Sequence, residues 1–287
     1  MDCKEQSLIK HIVRQKECGI EALKLSNMTI GMVLKGAMIV YHNQLQTRLN
    51  PKSVFILKEG LHYVETICDD GCFEQIVFSL PAAILQQTIA SISVSYDIDY
   101  RNCSNFAVCR PSALLSDFFG SLVHGVESSE LYDNFDFQRL KLSELLFILH
   151  SQDDERVKRM VVSGADVVHS RFAQVMYNNI FNDRPMEELA QQTSCSLSTF
   201  KKEFSELFHA TPHRWFVEQR LQQAEILLRS TTKSVGQISD QCVFTNISHF
   251  IRLFKRRYHT TPAAYRRAIR IKHEDSVDEK GEESKLT

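Results

Sequence analysis

One unit occurs twice in this chain, as MEELAQQTSCSLSTFKKEFSELFHATPHRW at residues 186–215 and as VGQISDQCVFTNISHFIRLFKRRYHTTPAAYR at residues 235–266. The two copies share their apolar positions and differ in their polar ones, and the second copy has one extra residue in its turn. The matched positions are Leu189 and Ile238, Phe200 and Phe250, Phe204 and Phe254, and Thr211-Pro212 and Thr261-Pro262. Two copies of one unit imply two copies of one task.

Each copy predicts a short helix, a turn and a second helix, because its apolar residues recur at helical spacing on both sides of a polar break. Burial of those residues leaves a polar and basic face on the second helix. This pattern is typical of a helix-turn-helix unit, which lays its second helix in the major groove of DNA. We call residues 186–215 the first reader and residues 235–266 the second reader.

The distribution of charge favours the same interpretation. Residues 171–272 contain 16 Lys and Arg against 8 Asp and Glu, a net charge of +8, whereas residues 1–170 contain 16 against 21. A basic domain in a chain with an overall net charge of −1 is the electrostatic footprint of a polyanion binder. Residues 273–287 are acidic and polar, and we expect a disordered tail there.

The second reader carries the stretch FTNISHFIRLFKRRYHTTPAAYRR, residues 244–267, which resembles the AraC/XylS family of bacterial transcription regulators. The resemblance covers about residues 171–270 and implies two helix-turn-helix units joined by a long helix. TPHRWFVEQRLQQAEILLRS, residues 211–230, predicts that helix, with Trp215, Leu221, Ala224 and Leu228 on its inner face. Val243 departs from the family pattern, which usually has Gly before the matched Phe244.

No apolar run reaches membrane-spanning length, and the first residues lack the apolar core of a signal peptide, so we expect a cytoplasmic protein without a membrane partner. The 8 cysteines are scattered. Cys68 and Cys72, like Cys103 and Cys109, have neither the spacing nor the His partners of a zinc site. We therefore expect reduced structural thiols.

About the first hundred residues predict strands, because segments rich in β-branched and aromatic residues alternate with turn residues. The predicted breaks are Gly36, Asn43-Gln44, Asn50-Pro51, Glu59-Gly60 and Asp69-Asp70-Gly71. Short, evenly spaced strands suggest a small β-barrel or jelly roll, and the resemblance implies a cupin-like regulatory domain. His42 and His62 stand alone, without the clustered ligands of an enzymatic cupin, so we expect no enzyme, no metal and no cofactor.

From Pro111 onward the pattern becomes helical, with broad apolar faces that predict an association surface on the N-terminal domain. The alternative is that these helices simply cap the barrel. The residues assigned to homodimerisation are Leu142, Leu145, Leu146 and Leu149. The expected fold is thus α+β, with a cupin-like barrel and helical dimerisation segment at 1–165, an all-α domain with two helix-turn-helix units at 166–272, and the tail at 273–287.

Within the family, the chain resembles the activators of type III secretion operons. The segments that carry this resemblance are LKLSELLFILHSQ, LSTFKKEFSELFHATPHRWFVEQR and the barrel stretches VLKGAMIV and FILKEG. That resemblance implies an activator of virulence genes that works with RNA polymerase at promoters. It also implies control by a protein anti-activator bound through the N-terminal domain. The alternative is control by a small molecule in the barrel.

In the first reader, Ser196 and Ser198 lie where a hydroxyl caps the start of the second helix. Alignment to the family motif assigns DNA contact to the outward residues, and Lys donates to guanine O6 and N7. A phosphate contact or a solvated face is the alternative for the lysines. The candidate DNA-binding residues of the first reader are Ser198, Thr199, Lys201 and Lys202.

In the second reader, Ser234 and Gln237 have the spacing of a capping box. The outward isoleucines suit thymine methyl groups and Arg252 suits guanine or phosphate, with packing of Ile251 against a neighbouring helix as the alternative. The candidate base-contacting residues are Ile247, Ser248, Ile251 and Arg252. The candidate backbone clamps are Lys255, Arg256, Arg257, Arg266 and Arg267.

Overall fold

The computed structural model describes residues 7–42, 45–91, 103–110, 112–128 and 130–269. The chain divides between Tyr177 and Asn178 into an N-terminal and a C-terminal unit. The predicted break at Asn43-Gln44, the predicted helix start at Pro111 and the predicted acidic tail lie outside the described residues.

In the N-terminal unit, the described strands form two antiparallel sheets, with the orders β1-β8-β3-β6-β9 and β2-β7-β4-β5. The central strands β3 and β6 are almost wholly buried, which matches their continuous runs of apolar residues. The strands are β1 (Ile9–Arg14), β2 (Cys18–Leu25), β3 (Met28–Lys35), β4 (Ala37–His42), β5 (Leu45–Leu49), β6 (Val54–Leu57), β7 (Gly60–Ile67), β8 (Phe73–Leu80) and β9 (Phe106–Val108).

The predicted barrel is not closed, since each described strand pairs only within its own sheet. One of the crossings between the sheets is at Gly36, where the chain passes from β3 to β4. Gly36 has a φ of +74°, and a Cβ there would lie 2.4 Å from the carbonyl oxygen of Ile67. Only glycine fits this crossing.

The sequence predicted five strand segments, TIGMVLKGAMIVYH, LQTRL, SVFILK, LHYVETI and FEQIVFSL. It missed β1, β2 and β9, and it also missed a helix that follows β8. That helix, α1 (Ala82–Ser91), is built of Ala, Leu, Ile and Gln, which tolerate a helix well. The predicted helices after Pro111 are present as α2 (Ala113–Ser128) and α3 (Phe135–Ser151), and α4 (Glu155–Gly164) follows.

The N-terminal unit has two apolar cores. One lies between the two sheets and includes Val40, Phe55 and Phe73. The other packs α1 to α4 against the five-stranded sheet, with Phe78 stacked on Phe118 at a ring-centroid distance of 6.0 Å. The helices therefore form a layer over one sheet, which is the capping role that the sequence left open.

The four leucines assigned to dimerisation lie inside this second core. Leu142, Leu145 and Leu146 are 0% exposed and Leu149 is 1% exposed. Their apolar stripe is covered by the same chain, so these side chains do not form an exposed association face. The assignment of these four leucines to a dimer contact was therefore wrong. A helix with apolar side chains on several faces buries the face that meets the sheet, and these leucines lie on that face.

The helix α5 (Val167–Asn178) belongs to the N-terminal unit through Tyr177, although residues 166–272 were predicted as one domain. The Tyr177 ring covers Gly60, where a Cβ would lie 2.9 Å from its Cζ atom. Gln174 donates a hydrogen bond to the Ser26 carbonyl oxygen. These contacts attach α5 to the strands and move the boundary to Tyr177.

The C-terminal unit is helical in its described part. The helices are α6 (Met186–Gln192), α7 (Leu197–Phe208), α8 (Pro212–Ser230), α9 (Val235–Gln241) and α10 (Ile247–Tyr258), and residues 262–269 are also helical. The predicted long helix is confirmed as α8, and Trp215, Leu221, Ala224 and Leu228 on its inner face are at most 8% exposed.

Candidate nucleic-acid interface

The two readers have the same local structure. In each, a helix of 7 residues is followed by a turn and a helix of 12 residues. The matched residues Leu189 and Ile238 are 2% and 0% exposed, and the matched phenylalanines are fully buried. The repeat in the sequence is therefore a repeat in the core, as predicted.

The turns of the readers repeat the same hydrogen bonds. The Ser194 amide donates to the Gln191 carbonyl oxygen at 2.9 Å, and the Val243 amide donates to that of Asp240 at 2.9 Å. Both residues have left-handed backbone. Val243 thus adopts the conformation that the family usually gives to Gly, so the departure in sequence leaves the turn intact.

Aromatic side chains hold each second helix in place. Phe204 of α7 meets Trp215 of α8 edge-on at 5.7 Å between ring centroids. Phe254 of α10 meets Tyr265 in the same way at 5.6 Å. Because the rings occupy one face of each second helix, the opposite face is left toward solvent.

The exposed start of α7 carries the predicted hydroxyl groups. Ser196 is the N-cap, and its Oγ accepts from the Thr199 amide at 3.2 Å. The same Oγ is 3.0 Å from Ser198 Oγ and 2.8 Å from Thr199 Oγ1. The hydroxyls of Ser198 and Thr199 are thus tied to the cap, whereas Lys201 and Lys202 are exposed without a recorded partner among the described residues.

The exposed start of α10 is capped by Asn246, whose Oδ1 accepts from the His249 amide at 3.0 Å. Ser248 and Arg252 are exposed, and Ile247 is 45% exposed. Ile251 is half-buried and packs against the core of the second reader. The structure therefore places Ile251 in the packing role that the sequence left open.

The predicted backbone clamps separate into two groups. Lys255, Arg256 and Arg267 are exposed. Arg257 forms an ion pair with Glu218 of α8, and Arg266 donates from Nε to the Leu228 carbonyl oxygen at 3.3 Å. Since the Nε donor of each is used within the chain, Arg257 and Arg266 are less free than the three exposed clamps.

A cleft of about 490 Å³ lies between α8 and α10. Its floor is apolar, formed by Val217, Leu221 and Leu253, and its rim carries His213 and Arg214 beside the arginines of α10. His213 and Arg214 are exposed and lie in the first turn of α8, at the end of the first reader, where no DNA contact was predicted from the sequence. They add two basic side chains to the rim of this cleft.

Capped helix starts that carry exposed basic side chains suit contact with a polyanion. Within the described ranges, no three His, Cys, Asp or Glu side chains come together as a metal site. The described helices include none that is long and apolar enough to cross a membrane.

Two known families match separate parts of this chain. The family described as a helix-turn-helix domain matches residues 189–268, and the family described as the ExsA N-terminal regulatory domain matches residues 28–159. The fold and the paired readers thus define a helix-turn-helix DNA-binding transcriptional regulator. The chain belongs to the AraC/XylS family of these regulators and is related to ExsA.

Curated relatives match over part of their length. The xylose operon regulatory protein of Escherichia coli K12 is 33% identical over 138 residues, which cover 43% of this chain and 35% of the relative. ExsA of Pseudomonas aeruginosa is 25% identical over 128 residues, which cover 44% of this chain and 46% of ExsA. The chain thus spans about a third of the xylose regulator and less than half of ExsA.

A solved structure is similar over most of both chains. The crystal structure of an apo ToxT variant from Vibrio cholerae has a TM-score of 0.52 and 12% identity, covering 91% of this chain and 97% of that chain. At this identity the likeness shows the fold, a two-sheet N-terminal domain followed by a helical DNA-binding domain.

Proposed function

We propose that this chain is a sequence-specific activator that grips one asymmetric promoter site with both readers. This proposal is supported by an exposed basic residue at the equivalent position of both second helices, Lys202 in α7 and Arg252 in α10. Each follows a fully buried phenylalanine, Phe200 or Phe250, by two positions. Two such helices on one side of B-DNA reach successive major grooves about 34 Å apart.

In this proposal some residues specify the base sequence, and others position the protein on the DNA backbone. Lys201, Lys202, Ser248 and Arg252 lie on the exposed starts of the second helices and contact base edges. Lys255, Arg256 and Arg267 bind phosphates. We assign His213 and Arg214 to the same phosphate-binding group, because they are basic, exposed and line the same cleft as Arg256.

The proposed target is a type III secretion or other virulence operon, with RNA polymerase as the partner at the promoter. Support comes from the match of residues 28–159 to the ExsA N-terminal regulatory domain and from the identity with ExsA. The same match supports control by a protein anti-activator that binds the N-terminal unit.

The proposed homodimer uses the outer face of α3 instead of its buried leucines. Leu140 is 68% exposed and Phe147 is 51% exposed, and the two lie seven residues apart on one face of the helix. Large exposed apolar side chains in line are typical of an association surface. An isologous contact between two copies of α3 would cover both.

Control by a small molecule is the second candidate, favoured by a cavity of about 190 Å³ between the two sheets. Met38, Phe55 and Val64 line it together with several polar side chains, which include Thr66 and Gln75. Among the described residues, Thr66 Oγ1 and Gln75 Oε1 are buried there without a hydrogen-bond partner. Buried polar atoms without partners are costly, and a ligand's polar group would satisfy them.

A genome-wide occupancy map of the full-length protein in its own host, paired with transcript levels in a deletion strain, tests the proposal. We expect discrete peaks at promoters, with transcripts of the adjoining operons lost on deletion. Gain of those transcripts would make the protein a repressor. Uniform occupancy without promoter peaks would contradict sequence-specific regulation.

A further inference from the structure

Arg220 lies in the middle of α8 and is half-buried. Its guanidinium donates to three backbone carbonyl oxygens: from Nε to Ile180 at 2.8 Å, from Nη2 to Asn182 at 3.1 Å and from Nη1 to Val243 at 3.4 Å. Within the described part of the chain, no ion pair is recorded for it. Burial lowers the pKa of Arg220, opposed by the charge of Asp183, and an arginine remains charged at neutral pH.

Two of these acceptors belong to the segment that enters the first reader. Ile180 is fully buried, and the neighbouring Asn179 donates from Nδ2 to Gln192 Oε1 at 3.1 Å. Gln192 is the last residue of α6, directly before the turn of the first reader. The hydrogen bonds of Arg220 therefore reach that turn through one intermediate side chain.

The third acceptor lies in the turn of the second reader. Val243 has left-handed backbone, and its orientation is fixed because its own amide and that of Phe244 bond back to α9, the latter at 3.0 Å to Ser239. The Val243 carbonyl is thus a fixed point of the second reader. Arg220 joins this turn and the segment that leads into the first reader to one place on α8.

We propose that Arg220 is a positioning residue that sets the separation and relative angle of the two readers, and so the spacing of the two DNA half-sites that the protein accepts. This inference rests on the proposed function. Each reader packs on α8 through apolar side chains, and such contacts are not directional. The planar guanidinium adds direction, because its donors point in fixed directions to several acceptors at once.

The first test needs no DNA. Spin labels are attached through p-acetylphenylalanine at the equivalent exposed positions 202 and 252 of the full-length chain, and the distance distribution between them is measured by pulsed EPR. We expect a single narrow distribution in the parent protein and a broader, displaced one in Arg220→Met. Gln223→Met is the control on the same helix, since Gln223 is half-buried and makes no hydrogen bond with either reader in the described part of the chain, and it should leave the distribution unchanged.

A distribution in Arg220→Met identical to that of the parent would overturn the proposal, as would a distribution that is already broad in the parent. If Arg220→Met does not fold, Arg220→Lys carries the same test. An ammonium group is a point donor and cannot hold three separate carbonyls in fixed directions. Thermal melting of each variant identifies the folded ones.

The second test uses DNA selected by the parent protein from a random library, with one to four base pairs then inserted between the half-sites. We expect the parent to bind the original spacing at least about tenfold more tightly than the altered ones, or about 1.4 kcal/mol. Arg220→Met should lose affinity mainly at the original spacing and bind all spacings more evenly. An equal loss at every spacing indicates a general structural defect and overturns the proposal. Failure of the parent to bind DNA would refute the proposed function, and the distance measurement would still decide the role of Arg220.

Discussion

Ser194 and Val243 occupy the same place in the two readers, and their φ angles are 57° and 59°. Neither is glycine, although left-handed backbone is costly for any residue with a Cβ and most of all for a β-branched one. The two turns keep one geometry with different side chains, because the amides at these positions close the turn onto the preceding helix. Backbone hydrogen bonding, more than residue type, therefore fixes how each reader's helices cross.

Val243→Gly should stabilise the protein. Relief of left-handed strain contributes about 1–2 kcal/mol, and the greater chain entropy of unfolded glycine removes about 0.5–1 kcal/mol. The free energy of unfolding in urea should rise by the difference, about 0.75 kcal/mol from the midpoints of the two ranges. Thr245→Gly, two residues on and without positive φ, should lower it by a similar amount. If Val243→Gly lost as much stability as Thr245→Gly, the left-handed backbone of Val243 would not be strained.

Lys202→Ala should weaken binding to the selected DNA site by about 1–3 kcal/mol and relax the preference at one base position. Arg214→Ala should weaken selected and random DNA alike and reduce the slope of log affinity against log salt by about 1. Titrations of both DNAs at several salt concentrations separate the two roles. Equal losses on both DNAs in Lys202→Ala would reduce it to a phosphate contact.

Arg257→Ala should affect DNA binding less than Arg256→Ala, because Glu218 already neutralises Arg257. Its loss leaves Glu218 unpaired on the half-buried wall of the cleft, so the effect should appear as a lower melting temperature. Fluorescence anisotropy with random duplex DNA and thermal melting measure the two effects. A larger loss of DNA affinity in Arg257→Ala than in Arg256→Ala would show that the arginine leaves Glu218 to bind phosphate.

Leu140→Glu with Phe147→Glu should shift the protein toward monomer at nearly unchanged stability, since substitutions at exposed sites usually cost less than about 0.5 kcal/mol. Leu145→Ala should cost about 2–5 kcal/mol of folding stability, because its side chain is fully buried. Analytical ultracentrifugation and urea unfolding of the full-length variants report the two effects. A dimer that survives the double substitution would refute the α3 contact.

Acid should destabilise the N-terminal unit through His62. Burial lowers the pKa of His62 to about 4 from 6.5, partly opposed by its hydrogen bond with the Lys58 carbonyl. Because the folded pKa is lower, this stability is complete above about pH 6.5 and is lost as pH falls toward 4, up to about 3 kcal/mol. His62→Gln should flatten stability against pH in that window. An unchanged slope in the variant would assign the acid sensitivity to other groups.

The readers were predictable from sequence because their information is local. Periodic apolar residues, a capping box at Ser234 and Gln237 and the repeat itself gave the helices and buried faces, and both capping-box hydrogen bonds are present. The identity of the exposed residues followed from the same period. The sequence did not show which arginines form ion pairs, since the partner of Arg257 is Glu218, 39 residues away.

The N-terminal unit was less predictable because its arrangement depends on contacts between distant segments. The exchange of sheets at Gly36 needs the close approach of Ile67. The burial of Leu145 depends on which face of α3 meets the sheet, and an apolar count along the helix leaves both its buried leucines and the exposed Leu140 as candidates. No sequence motif indicated the role of Arg220, because its hydrogen-bond acceptors are backbone carbonyl oxygens.

Selection of binding sites from a random DNA library by the full-length protein tests whether both readers bind one asymmetric site. If they do, the selected DNA contains two blocks of preferred bases, different in sequence and about 10–10.5 base pairs apart from centre to centre. Lys202→Ala should erase preference within one block, and Arg252→Ala within the other. A single enriched block, or no enrichment above the starting library, would contradict binding of one asymmetric site by both readers.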